Sequence, residues 1–356
     1  MIAVLIAVAT AFTVGVFGTP FVIRYLQRHN IGAQIRDDGP VAHPHEAKAG
    51  TPTMGGVAIV GAAFVGYLVA HINSEAIKFA DTAITLWVLI LGLFAVGFVD
   101  DYLGVKRARN LGLRKRGKTV GLVMVATVFA VMSVHVVKVS TDMSFTRAIS
   151  GMDLGTVGWI LWAIAVVYAM TNAVNITDGL DGLAAGSSAL VFAAFVVISF
   201  TQFRHEDVYL LRDATLPALR AGSIDVTVVA AAMMGACVGF LWWNAPPAKV
   251  FMGDTGALAL GGAMAGMGLL TNTALLLPII GGLYVLETAS VVAQVISFRG
   301  FGRRILRMSP IHHHFELLGW PESTIIVRFW ILAGLAMALG LGLFYADFLR
   351  IPGAGG

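Results

Sequence analysis

The sequence predicts an all-α integral membrane protein with about ten transmembrane helices. Three observations predict it. Only 12% of the 356 residues are charged and 58% are hydrophobic, whereas soluble domains average about 25% charged. Uncharged runs recur at 1–23, 49–70, 82–99, 154–177, 182–203, 226–248 and 255–286, and a bilayer span needs about 20 apolar residues. Lys and Arg are also distributed unevenly, with 17 of the 24 falling in alternate connections between the runs.

Each run reads as follows. Run 1–23 has no basic leading segment and no small-residue cleavage site, so it is a first span and not a removed signal peptide. Runs 49–70 and 82–99 are the second and third spans, and the apolar stretch 119–137 is the fourth. Runs 154–177, 182–203 and 226–248 are the fifth to seventh. Run 255–286 is too long for one span and is broken by Thr271-Asn272-Thr273. Its second half continues past Glu287 to about Phe298, and 329–346 completes the set.

Ten spans place both termini on one side. The odd connections, 24–48, 100–118, 178–181, 249–254 and 299–328, are then together on the other side and hold most of the Lys and Arg. Basic loops stay cytoplasmic, so the odd connections are expected inside and both termini outside. No connection is long enough for a core of its own, so residues 1–356 form one polytopic domain. The single cysteine, Cys237, excludes an intrachain disulfide and a cysteine metal cluster. In segment 299–308, Arg303, Arg304 and Arg307 alternate with Phe301, Ile305, Leu306 and Met308. That pattern fits an interfacial helix at anionic headgroups, and equally a loop under the positive-inside bias alone.

The odd connections also gather the polar residues. Asp100 and Asp101 end the third span, where the helix dipole disfavours acids and adjacent carboxylates raise one another's pKa unless a cation neutralises them. Lys118 opens the next span. Asn175, Asp178 and Asp181 recur at a spacing of three in a glycine-permitted turn. Asn244, Phe251 and Asp254 surround the start of the eighth span, whose N-terminus attracts anions. Lys48 and Thr53 lie in a glycine-rich turn that lacks the Walker spacing. His312, His313 and His314 share the last odd connection. Glu287 and Gln294 share one face of the ninth span, and intramembrane acids are functional candidates. Carboxylates brought to one face by separate helices suit a hard cation such as Mg²⁺, which takes one or two carboxylates plus phosphate oxygens.

Five motifs in order, Gly-Thr-Pro-Thr-Met-Gly-Gly (50–56), Asp-Asp-Tyr (100–102), Asn-Ile-Thr-Asp-Gly-Leu-Asp-Gly-Leu (175–183), Phe-Met-Gly-Asp-Thr-Gly (251–256) and Pro-Ile-His-His-His-Phe-Glu (310–316), resemble the phospho-N-acetylmuramoyl-pentapeptide-transferases. These belong to the polyprenyl-phosphate N-acetylhexosamine-1-phosphate transferases. The resemblance implies a ten-helix enzyme of the bacterial plasma membrane with a cytoplasmic active site. It implies attack of undecaprenyl phosphate on UDP-N-acetylmuramoyl-pentapeptide, giving lipid I and UMP, with Mg²⁺ as cofactor. It implies Asp254 as Mg²⁺ ligand, with Asp101 a further candidate, and Asp100, Asp101, Asp254 and His312 as catalytic. Lys48, Thr53, Asn175, Asp178, Asp181, Asn244 and Phe251 correspond to positions around the nucleotide. Gln294, His313 and His314 correspond to positions near the diphosphate and sugar-peptide, and Lys106 or Lys118 must serve where a cation is needed. Two departures stand out: Gly104 falls where the family often has a lysine, and Ala257 where it often has a serine.

The expected partners are the two substrates and the bilayer, with a homodimer as candidate assembly and no nucleic acid. The rival enzyme is an N-acetylglucosamine-1-phosphate transferase acting on the same lipid, and the rival class is a transporter. Direct attack and a covalent phospho-aspartate both remain open at this stage.

Overall fold

A computed structural model of the chain describes residues 1–32, 50–72, 78–106, 112–205 and 216–350, with backbone alone for 216–221. Lys48 lies outside the described residues. Twelve α-helices follow along the described chain: α1 (Ile2–Arg28), α2 (Gly56–Ile72), α3 (Asp81–Lys106), α4 (Lys115–Met132), α5 (Gly155–Thr177), α6 (Leu183–Arg204), α7 (Leu216–Asn244), α8 (Gly253–Leu270), α9 (Leu277–Ile280), α10 (Gly282–Phe301), α11 (Ile311–Glu316) and α12 (Glu322–Phe348). A π-helical turn, Ser133–Val137, continues α4. Seven of these helices are long and apolar enough to cross a membrane, and α2 is a shorter apolar helix.

The expected break in the run 255–286 is present. Helix α8 ends at Leu270, Asn272 adopts a left-handed conformation, and the chain turns back through α9 into α10. Two features add to the sequence reading. A small antiparallel hairpin, β1 (Asp142–Ser144) and β2 (Ala148–Asp153), interrupts the all-helical plan. The polar connection between α4 and α5 pairs its own backbone groups there, for example Phe145 N–H to Arg147 O at 3.1 Å. The second concerns 299–308, where the loop alternative holds beyond Phe301. Helix α10 stops at Phe301 because Gly302 takes a left-handed cap, with φ of 66°. Gln294 then organises the chain beyond. Its Oε1 accepts from Ile305 N (3.1 Å) and Leu306 N (3.0 Å), and its Nε2 donates to Leu306 O (3.0 Å).

Helix α8 is the axis of the molecule. Every residue from Thr255 to Leu269 is buried, and α3, α5 and α2 pack against it. The helix is rich in glycine and alanine, which lets neighbouring backbones come close. A Cβ at Gly261 would sit 2.6 Å from Thr171 Cα on α5. Helices α6 and α7 are also largely internal, whereas the outer faces of α1, α4 and α12 carry exposed apolar side chains such as Phe17, Met124 and Leu335.

The connections meet at two ends. At one end Ser144 O accepts from Leu275 N (2.9 Å), Thr146 Oγ1 donates to Asp347 (2.6 Å), and Gln202 Nε2 donates to Thr271 O (2.7 Å). At this end too, buried Asp225 accepts from Ala80 N–H (2.8 Å) and Tyr67 O–H (3.2 Å) and pairs with His71 (3.0 Å). These are the even connections. The odd connections contact one another at the opposite end, where all the predicted site residues that are described lie. The alternation read from the sequence thus has a geometric counterpart.

Candidate active site

The site is built around the first turn of α8. Gly253 enters it in a left-handed conformation, with φ of 72°, which glycine adopts without strain. A Cβ at Gly56 on α2 would overlap the backbone of Gly256, and one at Gly97 on α3 would overlap that of Asp254. Both helices therefore press backbone against this turn. The strand-like segment before α2 is stitched to the one before α8. Phe251 N donates to Pro52 O (2.8 Å), Gly55 N to Phe251 O (2.8 Å) and Gly56 N to Met252 O (2.9 Å). Thr53 Oγ1 lies 3.1 Å from where a Cβ on Gly253 would stand.

Two carboxylates cap this turn. Asp101 Oδ2 accepts from Thr255 N (2.9 Å) and Thr255 Oγ1 (2.6 Å), and Asp101 Oδ1 accepts from Asp254 N (3.2 Å). Asp178 accepts from the Gly253 amide. These amides would otherwise lack partners, and acids are favoured at a helix N-terminus. Asp101 is thus at the wrong end of α3 but the right end of α8. The anion site expected at the α8 N-terminus is filled by the protein's own carboxylates. Burial raises the Asp178 pKa to about 8, and the charges of Asp254 and Asp101 add to this.

The Asp254 side chain is partly exposed. Its Oδ2 pairs with Lys118 Nζ and its Oδ1 accepts from Asn175 Nδ2. Lys118 Nζ also lies 3.1 Å from Asp100 Oδ2, and Asp100 Oδ1 accepts from Leu113 N at 2.6 Å. One ammonium therefore bridges two carboxylates from different helices. The oxygen donors and the excess of acid over base suit a hard divalent cation. Among the described residues no group of three or more His, Cys, Asp or Glu is already arranged around a metal position.

A second layer holds the flanking loop. Asp181 Oδ2 accepts from Ala248 N (2.9 Å), and Asp181 N donates to Glu322 Oε1 (3.0 Å). Asn244 Nδ2 donates to Val250 O (2.9 Å), while its buried Oδ1 has no hydrogen-bond partner. Phe251 is half-buried.

The three histidines diverge, as consecutive residues on a helix must. His312 is fully buried with Nδ1 3.1 Å from Glu287 Oε2. His313 Nδ1 lies 2.5 Å from Glu316 Oε2. His314 Nδ1 accepts from Arg307 N at 3.1 Å.

Comparison with known proteins bears on the whole assembly. The glycosyl transferase family 4 model matches residues 83–272. The pattern described as phospho-N-acetylmuramoyl-pentapeptide-transferase signature 1 matches residues 48–60. Proteins named phospho-N-acetylmuramoyl-pentapeptide-transferase are similar along their full length. That of Frankia alni is 49% identical over 97% of this chain and 98% of its own. Those of Saccharopolyspora erythraea and Mycobacterium leprae are each 46% identical over 99% of both chains. The chain belongs to the phospho-N-acetylmuramoyl-pentapeptide-transferase family.

For a phospho-N-acetylmuramoyl-pentapeptide-transferase the geometry assigns unequal places to the expected residues. Asp100, Lys118, Asn175 and Asp254 share one contact network, and Asp101, Asp178 and Thr53 surround the backbone beneath Asp254. Asp181 and Asn244 hold the loop before α8. The Gln294 amide is engaged by the loop after α10. The sequence reading missed Thr255 and Glu322. Thr255 had a signal, since it directly follows Asp254 in the same motif. Glu322 had none, because an acid in a helix's first turn needs no function to explain it.

Proposed function

We propose that this chain transfers phospho-N-acetylmuramoyl-pentapeptide from its UDP donor to undecaprenyl phosphate, yielding lipid I and UMP. The observation that carries the reading is Asp254, held between Lys118 and Asn175 with Asp100 across the same ammonium. Both substrates are anions and repel one another. Lys118 offsets that repulsion and stabilises charge on the departing UMP. A phosphate monoester has a second pKa near ~6, so the lipid phosphate is largely ionised at neutral pH. Asp100 accepts the residual proton. An ionised lipid phosphate is itself a competent nucleophile, which favours direct attack by the lipid over a covalent phospho-aspartate.

The donor chemistry supports Mg²⁺ as cofactor. Asp254 is its proposed ligand, because its carboxylate is partly exposed and shares the Lys118 ammonium with Asp100. Asp101 serves chiefly to position Asp254, since its oxygens already accept three hydrogen bonds from α8. When bound, Mg²⁺ polarises phosphoryl oxygens and offsets developing charge.

Purified protein with undecaprenyl phosphate and Mg²⁺, offered a panel of UDP-sugars, tests the assignment. UMP release is expected with UDP-N-acetylmuramoyl-pentapeptide and not with UDP-N-acetylglucosamine. The reverse preference would favour the sister enzyme.

The membrane is proposed to be the bacterial plasma membrane, with the odd connections cytoplasmic and ten spans in all. The 17 of 24 Lys and Arg in those connections support this. Single cysteines in a Cys237→Ser background test it. A cysteine at Ser223 is expected to react with an impermeant reagent from outside, and one at Arg109 only from the cytoplasm. The opposite pattern would invert the site.

A further inference from the structure

Glu287 has no place in the chemistry above, yet it is fully buried inside α10. Its carboxylate lies 3.1 Å from Nδ1 of His312, whose ring is equally buried. Burying an acid and an imidazole is costly, and two apolar side chains would fill the same space without that cost. The contact is close but lacks hydrogen-bond geometry, so the carboxylate bears on where the ring stands through packing and electrostatics.

The other ring nitrogen shows what the orientation achieves. His312 Nε2, like Nδ1 and both Glu287 oxygens, is buried without a hydrogen-bond partner. It faces Gly179, where a Cβ would overlap it. Glycine at 179 is thus required for the ring to stand there. Gly179 lies between Asp178, which accepts from the Gly253 amide, and Asp181, which accepts from Ala248 N–H at 2.9 Å. The ring therefore abuts the one turn that supports both the Asp254 backbone and the flanking loop.

We infer that Glu287 is a positioning residue for the transfer reaction: it holds the His312 ring against Gly179 and thereby sets the turn that carries Asp178 and Asp181. The inference rests on the proposed nucleotide role of that turn. It adds a buried acid from a separate helix, which acts through the histidine and not on substrate.

Steady-state kinetics with both substrates varied test it. Glu287→Gln is expected to raise KM for the UDP donor about 10- to 100-fold, by analogy with losing the partner that orients a metal-bound histidine. KM for undecaprenyl phosphate should stay near that of the unaltered enzyme. Gly179→Ala attacks the same contact from the turn and should do likewise, and it carries the test where Glu287→Gln fails to fold. Combining Glu287→Gln with His312→Ala should lose no more than His312→Ala alone. Multiplying losses, or equal rises in both KM values, would overturn the inference. Amide exchange across residues 178–183 reads the turn without any substrate. Faster exchange in Glu287→Gln supports the inference whatever sugar the donor carries, and unchanged exchange refutes it.

Discussion

Asp254→Asn is expected to lower kcat by at least about 10³-fold while the protein stays folded in detergent. Three roles converge on this carboxylate. It is the proposed Mg²⁺ ligand, and an amide oxygen is a poorer ligand for a hard cation. It is one of two acids held by Lys118. Its remaining oxygen accepts from Asn175, so an amide in that place would set its NH2 against a donor in either orientation, Asn175 or Lys118. The fold should survive because the cap on α8 comes from Asp101 and Asp178, not from Asp254 itself. UMP release and thermal unfolding, measured on the same preparation, check both halves. Turnover near that of the unaltered enzyme at ordinary Mg²⁺ would remove Asp254 from the centre of the mechanism.

Lys118→Met is expected to cost about 10²- to 10³-fold in kcat, the range seen when a single group stabilising developing charge is removed. Methionine keeps much of the side-chain length and loses the charge. Asp100 and Asp254 then face one another without the ammonium between them, and one of them takes up a proton. The deficit should therefore deepen as pH falls, because both proposed roles, ligand and proton acceptor, need the ionised form. The pH profile of UMP release measures this. A deficit constant across pH 6 to 9 would mean that Lys118 contacts substrate without tuning the two acids.

Much of the fold was legible from hydropathy, because a bilayer imposes span length and a basic bias on the chain itself. The break at Thr271-Asn272-Thr273 could be read because polar residues interrupt an otherwise apolar run. The hairpin at 142–153 could not, since its strands are three and six residues long and mix polar with apolar residues without regular alternation. Nor could the end of α10 at Phe301, where alternating arginines and apolar residues imitate a surface helix. What stops that helix is one glycine, and the loop beyond is held by Gln294 across 11 and 12 positions.

The sequence by itself determined the membrane class, the alternation of connections and which residue types gather at one end. Those follow from composition and order, which act locally along the chain. The family follows from the five motifs in order. Only the tertiary structure decided how the aspartates divide the work. From sequence, Asp100 and Asp101 are one acidic pair. In space they diverge, Asp100 to Lys118 and Asp101 to the amides of α8, because successive side chains on a helix point about 100° apart. The same geometry separates three adjacent histidines and joins one of them to Glu287, 25 residues away. Such pairings depend on which helix faces meet, and that is settled by the glycine contacts of α2 and α3 on α8, which no local pattern along the chain records.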